Sequence, residues 1–437
     1  MQEACGYGVR LRRPERGQLG WVAQCADDLV GPEHRVRLVA AVVEKLDLSG
    51  FYEPIKARSG VSGRDSTDPG LLVGLWLYGC IRGIGSAREL ARRCEESTPF
   101  LWLCGGVTVN HRLLSDFRTD HGSALDALFT QVIASLVDKD VVQVSRISQD
   151  GVRVRVSAGA SSFRREERLQ ELLRQSREHV QHLRRQVDDG VGAELSARQK
   201  AARKRAAEER LERLEQAMAQ LPALEQKQAE AERRAGNGKH GEKIRRRQPR
   251  VSTTDPEARR MKMPNGGFNP AVNVQLATDP SSRAIVGVEV TSEGADSVGL
   301  STPMRQQVEQ RTGKTVQQHL IDGGYLRKDD IENADEVELF VPPKPAKSAA
   351  RRDRELEPKR GDSPAVLRWK KRMASTEGKE IYKQRAATSE TVNADLRAHR
   401  GLTQMTVRGI DKMRCLALWC ALAYNLFHFA HNLLGRA

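Results

Sequence analysis

Hydrophobic positions divide the chain into a helical first part, a strand-like segment, a highly charged helical stretch and a mixed second part. Apolar residues recur with a helical period over 35–46 and again over 70–81. Asp68 is placed to cap the second of these helices and Pro69 occupies its first turn. The glycines at 83 and 85 then predict its end, because glycine disfavours a helix interior.

Two further helices are predicted before residue 140. Ser86 and Glu89 have the spacing of a capping box, and Asn110 is placed to cap a helix over 111–121. The periodicity of that helix predicts three outward-facing residues: Arg112, Ser115 and Arg118. Short helices joined by glycine turns, with a basic outer face on the last, are compatible with a helix-turn-helix DNA reader or with a plain helical bundle.

Alternation with a period of two over 141–156 predicts β structure around Asp150-Gly151. Taken alone, an Asp-Gly pair in such a segment indicates a hairpin turn. Beyond residue 268 the pattern predicts strands over 271–277 and 284–290, a helix over 297–311, a strand over 319–322 and an apolar segment over 337–341. Helices, one carrying Glu390 and one apolar over 415–434, complete the chain. The order indicates an α/β core interrupted by a helical insertion.

The charged stretch over 164–250 has the pattern of an antiparallel helical hairpin or coiled coil. Its first helix carries apolar residues at a 4-3 rhythm, with polar Ser176 in one slot. Its second helix is predicted to stop at Pro222, and 236–247 resembles a flexible basic connector. The stretch holds 23 basic and 15 acidic side chains, a net charge of +8. A run of charge is usually a solvated surface, but an excess of this size favours contact with a DNA backbone or pairing with a partner.

The composition fits a nucleic-acid partner. The chain has 72 Lys and Arg against 57 Asp and Glu, a formal charge of +15, and a pI near 9.7. Such a field attracts phosphate backbones through counterion release. Seven scattered cysteines without a Cys-x-x-Cys pair favour a reducing cytoplasm over a disulfide framework or a zinc site. No signal peptide is expected, and the polar residues within 415–434 favour a buried helix over a membrane span.

Three acidic residues are the candidates for chemistry: Asp150, Asp322 and Glu390. The first two are predicted at strand ends and the third on a late helix. If that helix is regular, five of its side chains fall on one face, within an arc of roughly 140° around the helix axis. They are Tyr382, Arg385, Glu390, Asn393 and Arg397. Carboxylates of this kind can hold two divalent cations about 4 Å apart for in-line chemistry on a phosphodiester. Mg²⁺ suits such oxygen ligands, and arginines suit phosphate oxygens.

These residues resemble a known family. Asp150-Gly151, Asp322-Gly-Gly-Tyr325 and the series Tyr382, Arg385, Glu390 and Arg397 are similar to the motifs of bacterial insertion-sequence transposases of the DDE type. Within these, the segments 71–80, 83–86 and 117–118 resemble the InsH-type N-terminal domain of the eleven-eighty-two insertion-sequence group. Residues 254–259 and 273–275 match the segment leading into the second strand.

The resemblance implies an α/β ribonuclease-H-like catalytic core with an all-α N-terminal domain and a helical-hairpin insertion. The implied domains are residues 1–140 for DNA binding, 141–163 with 251–437 for catalysis, and 164–250 for the insertion. Asp150, Asp322 and Glu390 would be the catalytic and metal-binding residues, with two Mg²⁺ or Mn²⁺ ions as cofactors. The residues expected to contact DNA are Tyr382, Arg385, Arg397, Arg112 and Arg118.

The implied activity is cleavage at terminal inverted repeats and joining of the 3′-hydroxyl ends to target DNA. The implied partners are double-stranded DNA and a second copy of the chain, with no membrane, in the bacterial cytoplasm near the nucleoid. Two alternatives remain open: an inactive, transposon-derived DNA-binding protein and a ribonuclease-H-like nuclease. Metal-dependent nicking excludes the first alternative, and strand joining excludes the second.

The sequence departs from the motifs of its relatives in three ways. Four residues rather than three separate Arg385 from Glu390, and Arg397 stands where the family usually has lysine. The arginine keeps the charge but changes the geometry of a phosphate contact. Val152 also stands where relatives often have a small hydroxyl residue.

Overall fold

The computed structural model describes residues 25–57, 65–188, 196–294, 299–334, 337–343 and 354–435. Its first part is helical, in line with the sequence pattern. The helices are α1 (Arg35–Lys45), α2 (Ser49–Tyr52), α3 (Pro69–Ile81), α4 (Ala87–Glu96), α5 (Thr98–Cys104), α6 (His111–Asp120) and α7 (Gly122–Asp138). Four of them, α1, α4, α5 and α6, contact α3, which is buried along nearly its whole length.

The predicted helix starts are confirmed by their hydrogen bonds. The Asp68 carboxylate accepts from the Gly70 amide at 3.2 Å, and the Asn110 side chain accepts from the Arg112 and Leu113 amides at 3.0 and 2.9 Å. The Ser86 hydroxyl accepts from the Glu89 amide at 3.4 Å, but the other half of the predicted capping box is wrong, because the Glu89 carboxylate pairs with arginines on its own helix. Local capping therefore defines where these helices begin.

A mixed sheet forms the centre of the second part. Its strands are β1 (Arg146–Arg155), β4 (Arg259–Lys262), β5 (Phe268–Thr278), β6 (Ile285–Thr291), β7 (Gln318–Ile321) and β8 (Glu338–Phe340). The order is β4-β5-β1-β7-β8, with β6 on the same side of β5 as β4 but farther along it. β5 runs antiparallel to β1, and β7 and β8 run parallel to it.

The hairpin turn indicated by Asp150-Gly151 alone is wrong. β1 continues through both residues, and Gly151 pairs with Gln275 of β5. The partner strand supplies backbone hydrogen bonds on both sides of the dipeptide, so the chain has no reason to reverse there. The chain reverses instead between β5 and β6, where the Arg283 amide donates to the Asp279 carbonyl at 2.7 Å.

Helices cover the sheet and connect it to the first part. They are α11 (Ser301–Thr312), α12 (Lys328–Glu332), α13 (Pro364–Ala374), α14 (Thr376–Arg385), α15 (Thr391–His399) and α16 (Ile410–Leu434). A π turn over Ala386–Glu390 joins α14 to α15. The predicted start of α11 at residue 297 lies outside the described residues.

The terminal helix α16 lies between the sheet and the first helices. It packs against α3, α7 and β6, and its apolar side chains belong to one core shared with those elements. Buried Asn425 completes the hydrogen bonding of the edge strand, because its side chain accepts from the Ile285 amide at 2.9 Å and donates to the Ile285 carbonyl at 2.8 Å. Among the described helices, none has the length and apolarity needed to cross a membrane.

The charged stretch forms the predicted antiparallel pair, α8 (Glu166–Asp188) and α9 (Ala197–Ala235). Arg177 and Arg184 of α8 pair with Glu215 and Glu208 of α9 at 3.1 and 3.2 Å, which fixes the antiparallel direction. A two-stranded ladder of β2 (Phe163–Arg164) and β3 (Val251–Ser252) closes the base of the insertion. Leu169, Leu214 and Val251 form part of its own small core.

Two predictions for the insertion are wrong. α9 does not stop at Pro222 but continues through it to Ala235. Contacts on both sides offset the cost of about 3 kcal/mol that an internal proline carries: Leu221 is buried, and Gln228 donates to the Ile244 carbonyl at 3.1 Å. The supposed flexible connector contains a helix, α10 (Lys239–Arg245), that packs on α9.

Candidate active site

Strand register brings the first two predicted carboxylates together. Gln149 of β1 pairs with Ile321 of the parallel strand β7, so Asp150 and Asp322 are the next residues on two neighbouring strands. In-register residues of adjacent strands lie side by side. The prediction that Asp150 ends its strand is wrong, since β1 continues to Arg155. It is β7 that ends here, at Ile321, so Asp322 directly follows its strand.

Arg385 lies between these two carboxylates. Its Nη2 is 3.1 Å from Asp150 Oδ1 and 3.9 Å from Asp322 Oδ1. The guanidinium comes from the last turn of α14 and is almost completely buried. The other carboxylate oxygen of Asp150 accepts from Asn393 Nδ2 at 2.9 Å. Asp150 is therefore held from both sides by donors on the segment that carries Glu390.

Tyr382 lies beside the same groups. Burial raises the pKa of its phenol to about 12; Arg385 acts in the lowering direction, while the Asp322 and Asp150 carboxylates add to the effect of burial. The phenol is therefore neutral at physiological pH and keeps its proton as a hydrogen-bond donor. Tyr382 also packs against the small apolar core that contains Leu320 and Trp369.

Glu390 ends the π turn, at the point where α15 begins. The predicted regular helix is wrong here, because Ala386–Glu390 form a π turn and the arc of roughly 140° assumed α geometry throughout. A π turn closes with i→i+5 hydrogen bonds and so contains one more residue than an α turn. It lies between Arg385 and Glu390, where the sequence has one residue more than the family motif. The extra residue between Arg385 and Glu390 was therefore the sequence signal for the π turn.

The π turn is anchored to the sheet. Ser389, the neighbour of Glu390, shares a hydrogen bond of 2.6 Å with the Ser148 hydroxyl of β1, and both side chains are buried. Thr388 donates to the Gln384 carbonyl at 2.7 Å, and Thr391 donates to the Ala387 carbonyl at 2.9 Å. These hydroxyls satisfy carbonyls around the widened turn and fix where the Glu390 side chain starts.

A cleft of about 570 Å³ joins these elements, and we call it the catalytic cleft. Asp150 and Glu390 both line it, together with Asn393, Arg397 and Lys262. Sequence reasoning missed Lys262, which lies on the edge strand β4. Arg153 fixes that strand: it donates to the Lys262 carbonyl at 2.8 Å and to the Gly294 carbonyl at 3.1 Å. Acidic and basic side chains therefore line the same cleft.

The two arginines predicted to face outward from α6 differ in position. Arg112 is exposed in the first turn. The prediction for Arg118 is wrong, because only 5% of it is exposed. Its guanidinium donates to the Gly85 carbonyl at 2.5 Å and to Thr406 Oγ1 at 3.3 Å, and it stacks over Trp76. The C-terminal segment covers this face of α6, so Arg118 does not present its charge to DNA.

The donor set has the chemistry of a Mg²⁺ site, since Asp and Glu oxygens are the ligands that Mg²⁺ prefers. In the part of the chain that the structure describes, however, no three acidic, thiol or imidazole groups are grouped closely enough to enclose a metal ion. The Arg385 guanidinium supplies the positive charge between Asp150 and Asp322. Asp150 and Asp322 would hold a divalent cation only after Arg385 gives up its contacts with them.

Comparison with known families gave two matches. Residues 24–120 match the family described as "Transposase domain (DUF772)", and residues 244–426 match the family described as "Transposase DDE domain". No curated protein and no solved structure matched the chain.

The matched regions cover most of the described architecture. The first match contains helices α1 to α6. The second contains Asp322, the π turn and Glu390. Asp150 and the helical hairpin lie outside both matches. Together the two matches cover well over half of the chain, and both describe parts of transposases. The chain belongs to the insertion-sequence transposases of the DDE type.

Proposed function

We propose that this protein cleaves DNA phosphodiesters at the terminal inverted repeats of an insertion sequence and joins the freed 3′-hydroxyl ends to target DNA. The observation that carries the proposal is the strand register that sets Asp150 beside Asp322, with Glu390 lining the same cleft as Asp150. Three carboxylates from three separate elements are the arrangement that in-line phosphoryl transfer uses for positioning and charge.

The fold supports this assignment. We propose a ribonuclease-H-like core, because its strand order has three antiparallel strands on one side, β6-β5-β1, and two parallel strands, β7 and β8, on the other. The proposed domains are 1–140, then 141–163 with 251–437, and the insertion 164–250. Membership of the eleven-eighty-two group remains part of the proposal.

The chain's own residues have distinct tasks in this account. Arg385 and Asn393 orient the Asp150 carboxylate, while neutral Tyr382 donates a hydrogen bond within the site. Arg397 and Lys262, on the rim of the catalytic cleft, bind phosphate oxygens of the DNA. Arg112 lies on the exposed surface of the N-terminal helices and contacts the terminal repeat. The pairing of carboxylate with arginine keeps the site ordered before DNA arrives.

Asp150, Asp322 and Glu390 are the residues that would hold Mg²⁺ or Mn²⁺. When bound, two such ions would activate the attacking oxygen and stabilise the leaving oxygen. The protein's part is to release Asp150 from Arg385, whose guanidinium is then available for a phosphate oxygen. A bidentate arginine–phosphate contact favours that exchange.

The partners follow from the reaction. The substrate is double-stranded DNA, first the terminal repeat and then the target. Joining two ends to one target requires two active sites, so we propose that two copies of the chain act together in the DNA complex. Mass measurement of the protein with and without repeat DNA tests this, and a 1:1 complex throughout would contradict it.

The test of the proposed function uses a supercoiled plasmid that carries the element with its flanking repeats. We expect nicking at the repeat ends and joined products in Mg²⁺ or Mn²⁺, and none in EDTA, while DNA binding persists. Binding without nicking at any metal concentration would identify an inactive DNA-binding protein. Nicking without joining would identify a nuclease. Either result overturns the proposal.

A further inference from the structure

A second cleft, which we call the arginine cleft, lies at the base of the helical insertion. It measures about 510 Å³. Its lining comes from the segment that enters the insertion, the segment that leaves it and the edge of the sheet: Phe163, Arg165, Arg246, Arg247, Gln248, Arg250, Arg260 and Phe268. Five of these eight residues are arginines and none is acidic. Chain segments far apart in sequence therefore converge to make one strongly positive concavity.

The arginines of this cleft differ from those elsewhere in the insertion. Along α8 and α9 many arginines are paired with glutamates, as Arg174 is with Glu178 and Arg177 with Glu215. In the cleft only Arg246 has such a partner among the described residues, Glu242 of its own helix. The other four arginines are exposed, and none of the ion pairs between described residues includes them. Uncompensated guanidiniums at a concave surface are suited to phosphate oxygens.

An exposed aromatic ring stands at the same cleft. Phe268 begins β5 and is 57% exposed, the most of any large hydrophobic side chain among the described residues. Exposing a phenylalanine ring to water is unfavourable. An aromatic ring beside a row of guanidiniums is the combination by which proteins bind single-stranded nucleic acid, because every unpaired base has a face that can stack.

The arginine cleft adjoins the catalytic cleft along the edge strand β4. Arg260 lines the former and Lys262 lines the latter. Both are exposed while Met261 between them is buried, so they lie on one face of the strand, roughly 7 Å apart. Lys262 also pairs with Phe268 in the ladder between β4 and β5. A line of positive groups thus runs from Arg397 and Lys262 into the arginine cleft.

We propose that the arginine cleft binds the sugar–phosphate backbone of a single DNA strand that leaves the catalytic cleft, with Phe268 stacked on one of its unpaired bases. The proposal rests on the proposed function for its ligand, DNA, and for the catalytic cleft that the strand leaves. It assigns to the base of the insertion a single-strand subsite, which is separate from recognition of the duplex by the N-terminal helices.

The test measures binding by fluorescence anisotropy in EDTA, so that no cleavage is needed. The probes are a duplex with a single-stranded extension and a blunt duplex of equal length. We expect Arg247→Ala/Arg250→Ala to weaken binding of the extended probe and to lower its salt slope by about 0.7 for each phosphate that is no longer neutralised. The matched control is Arg233→Ala/Arg245→Ala, which removes the same charge from exposed positions outside the cleft and leaves the slope unchanged.

Phe268 provides the second arm. We expect Phe268→Ala to weaken binding of the extended probe by about fivefold to a hundredfold, to leave the blunt duplex unaffected, and to be rescued by Phe268→Trp. The proposal would be overturned if the two double-arginine variants, in the cleft and outside it, weakened binding of the extended probe equally. It would also be overturned if Phe268→Ala weakened binding of both probes to the same extent. Because no cleavage is measured, a failure here is distinguishable from a failure of the proposed function.

Discussion

Two side chains hold the Asp150 carboxylate in place by hydrogen bonds, and only one of them belongs to the family motif. Arg385 belongs to the family motif, while Asn393 was predicted only to share its face. Both donate to Asp150, one to each oxygen. A carboxylate fixed in this way keeps one orientation without substrate, which is the preorganisation that electrostatic catalysis needs.

Asn393→Ala tests this orientation. Removing a donor to a charged acceptor costs about 1.5–3 kcal/mol, so we expect cleavage to slow by roughly tenfold or more with unchanged affinity for repeat DNA. His399→Ala, an exposed residue of the same helix, is the matched control. Wild-type cleavage by the Asn393 variant would show that Asp150 does not depend on it.

His319 gives the fold a specific acid sensitivity. It lies on β7, three residues before Asp322, and burial together with nearby Arg305 lowers its pKa to about 3. Its pKa in the unfolded chain is higher, near 6.5. The stability linked to neutral His319 is therefore complete above pH 6.5 and is lost as pH falls from 6.5 towards 3.

Between pH 7 and pH 5 we expect the wild type to lose about 2 kcal/mol more unfolding free energy than His319→Leu. Urea denaturation at each pH measures this difference. His431→Gln, at an exposed position, should leave the pH dependence as in the wild type. Parallel curves for wild type and His319→Leu would contradict a buried neutral imidazole.

Among the elements, those with local signals were predicted best. Asp68 and Asn110 begin helices because their side chains cap nearby amides, and that signal lies within three residues. Pro222 and the π turn were missed, because tertiary packing decides both. An internal proline is tolerated where its helix is held on both sides, and a π turn forms where the sheet supplies Ser148 as a partner.

The hydrogen bond between Ser148 and Ser389 is the anchor of the π turn and can be tested by a double-mutant cycle. We expect each single change to alanine to cost about 1–3 kcal/mol of unfolding free energy, because one buried hydroxyl loses its partner. The double variant should cost no more than one single variant. Strictly additive losses in urea denaturation would show that the two hydroxyls do not depend on each other.

In the molecule as a whole, the C-terminal segment holds the N-terminal helices against the catalytic part. Arg118 reaches Thr406, and buried Arg400 donates to the Ile81 carbonyl at 2.8 Å. Gly83 adopts φ of +73° where a side chain would meet the His399 carbonyl at 3.1 Å. Helical periodicity predicted that Arg118 faces solvent. The prediction failed because the segment that covers Arg118 is almost 300 positions away in sequence and leaves no local pattern.

Arg118 and Arg112 therefore have different predicted effects. We expect Arg118→Ala to lower the unfolding free energy by about 2–4 kcal/mol, because its hydrogen bonds and its stacking on Trp76 are removed. Arg112→Ala should change it by less than about 0.5 kcal/mol and weaken binding of repeat DNA. Denaturation curves and DNA titrations well below the melting temperature separate the two, and the reverse assignment would contradict the packing described for α6.

The central claim is that Asp150, Asp322 and Glu390 act as one site on DNA, and one measurement tests it most directly. Cleavage of a repeat-bearing plasmid in Mg²⁺ is compared for Asp150→Asn, Asp322→Asn and Glu390→Gln, with Glu380→Gln, an exposed glutamate of α14, as the control. We predict at least a ~10³-fold loss of cleavage rate for each of the three, with DNA binding retained and the control unaffected. Full cleavage by any one of them would contradict the account and remove that residue from the site.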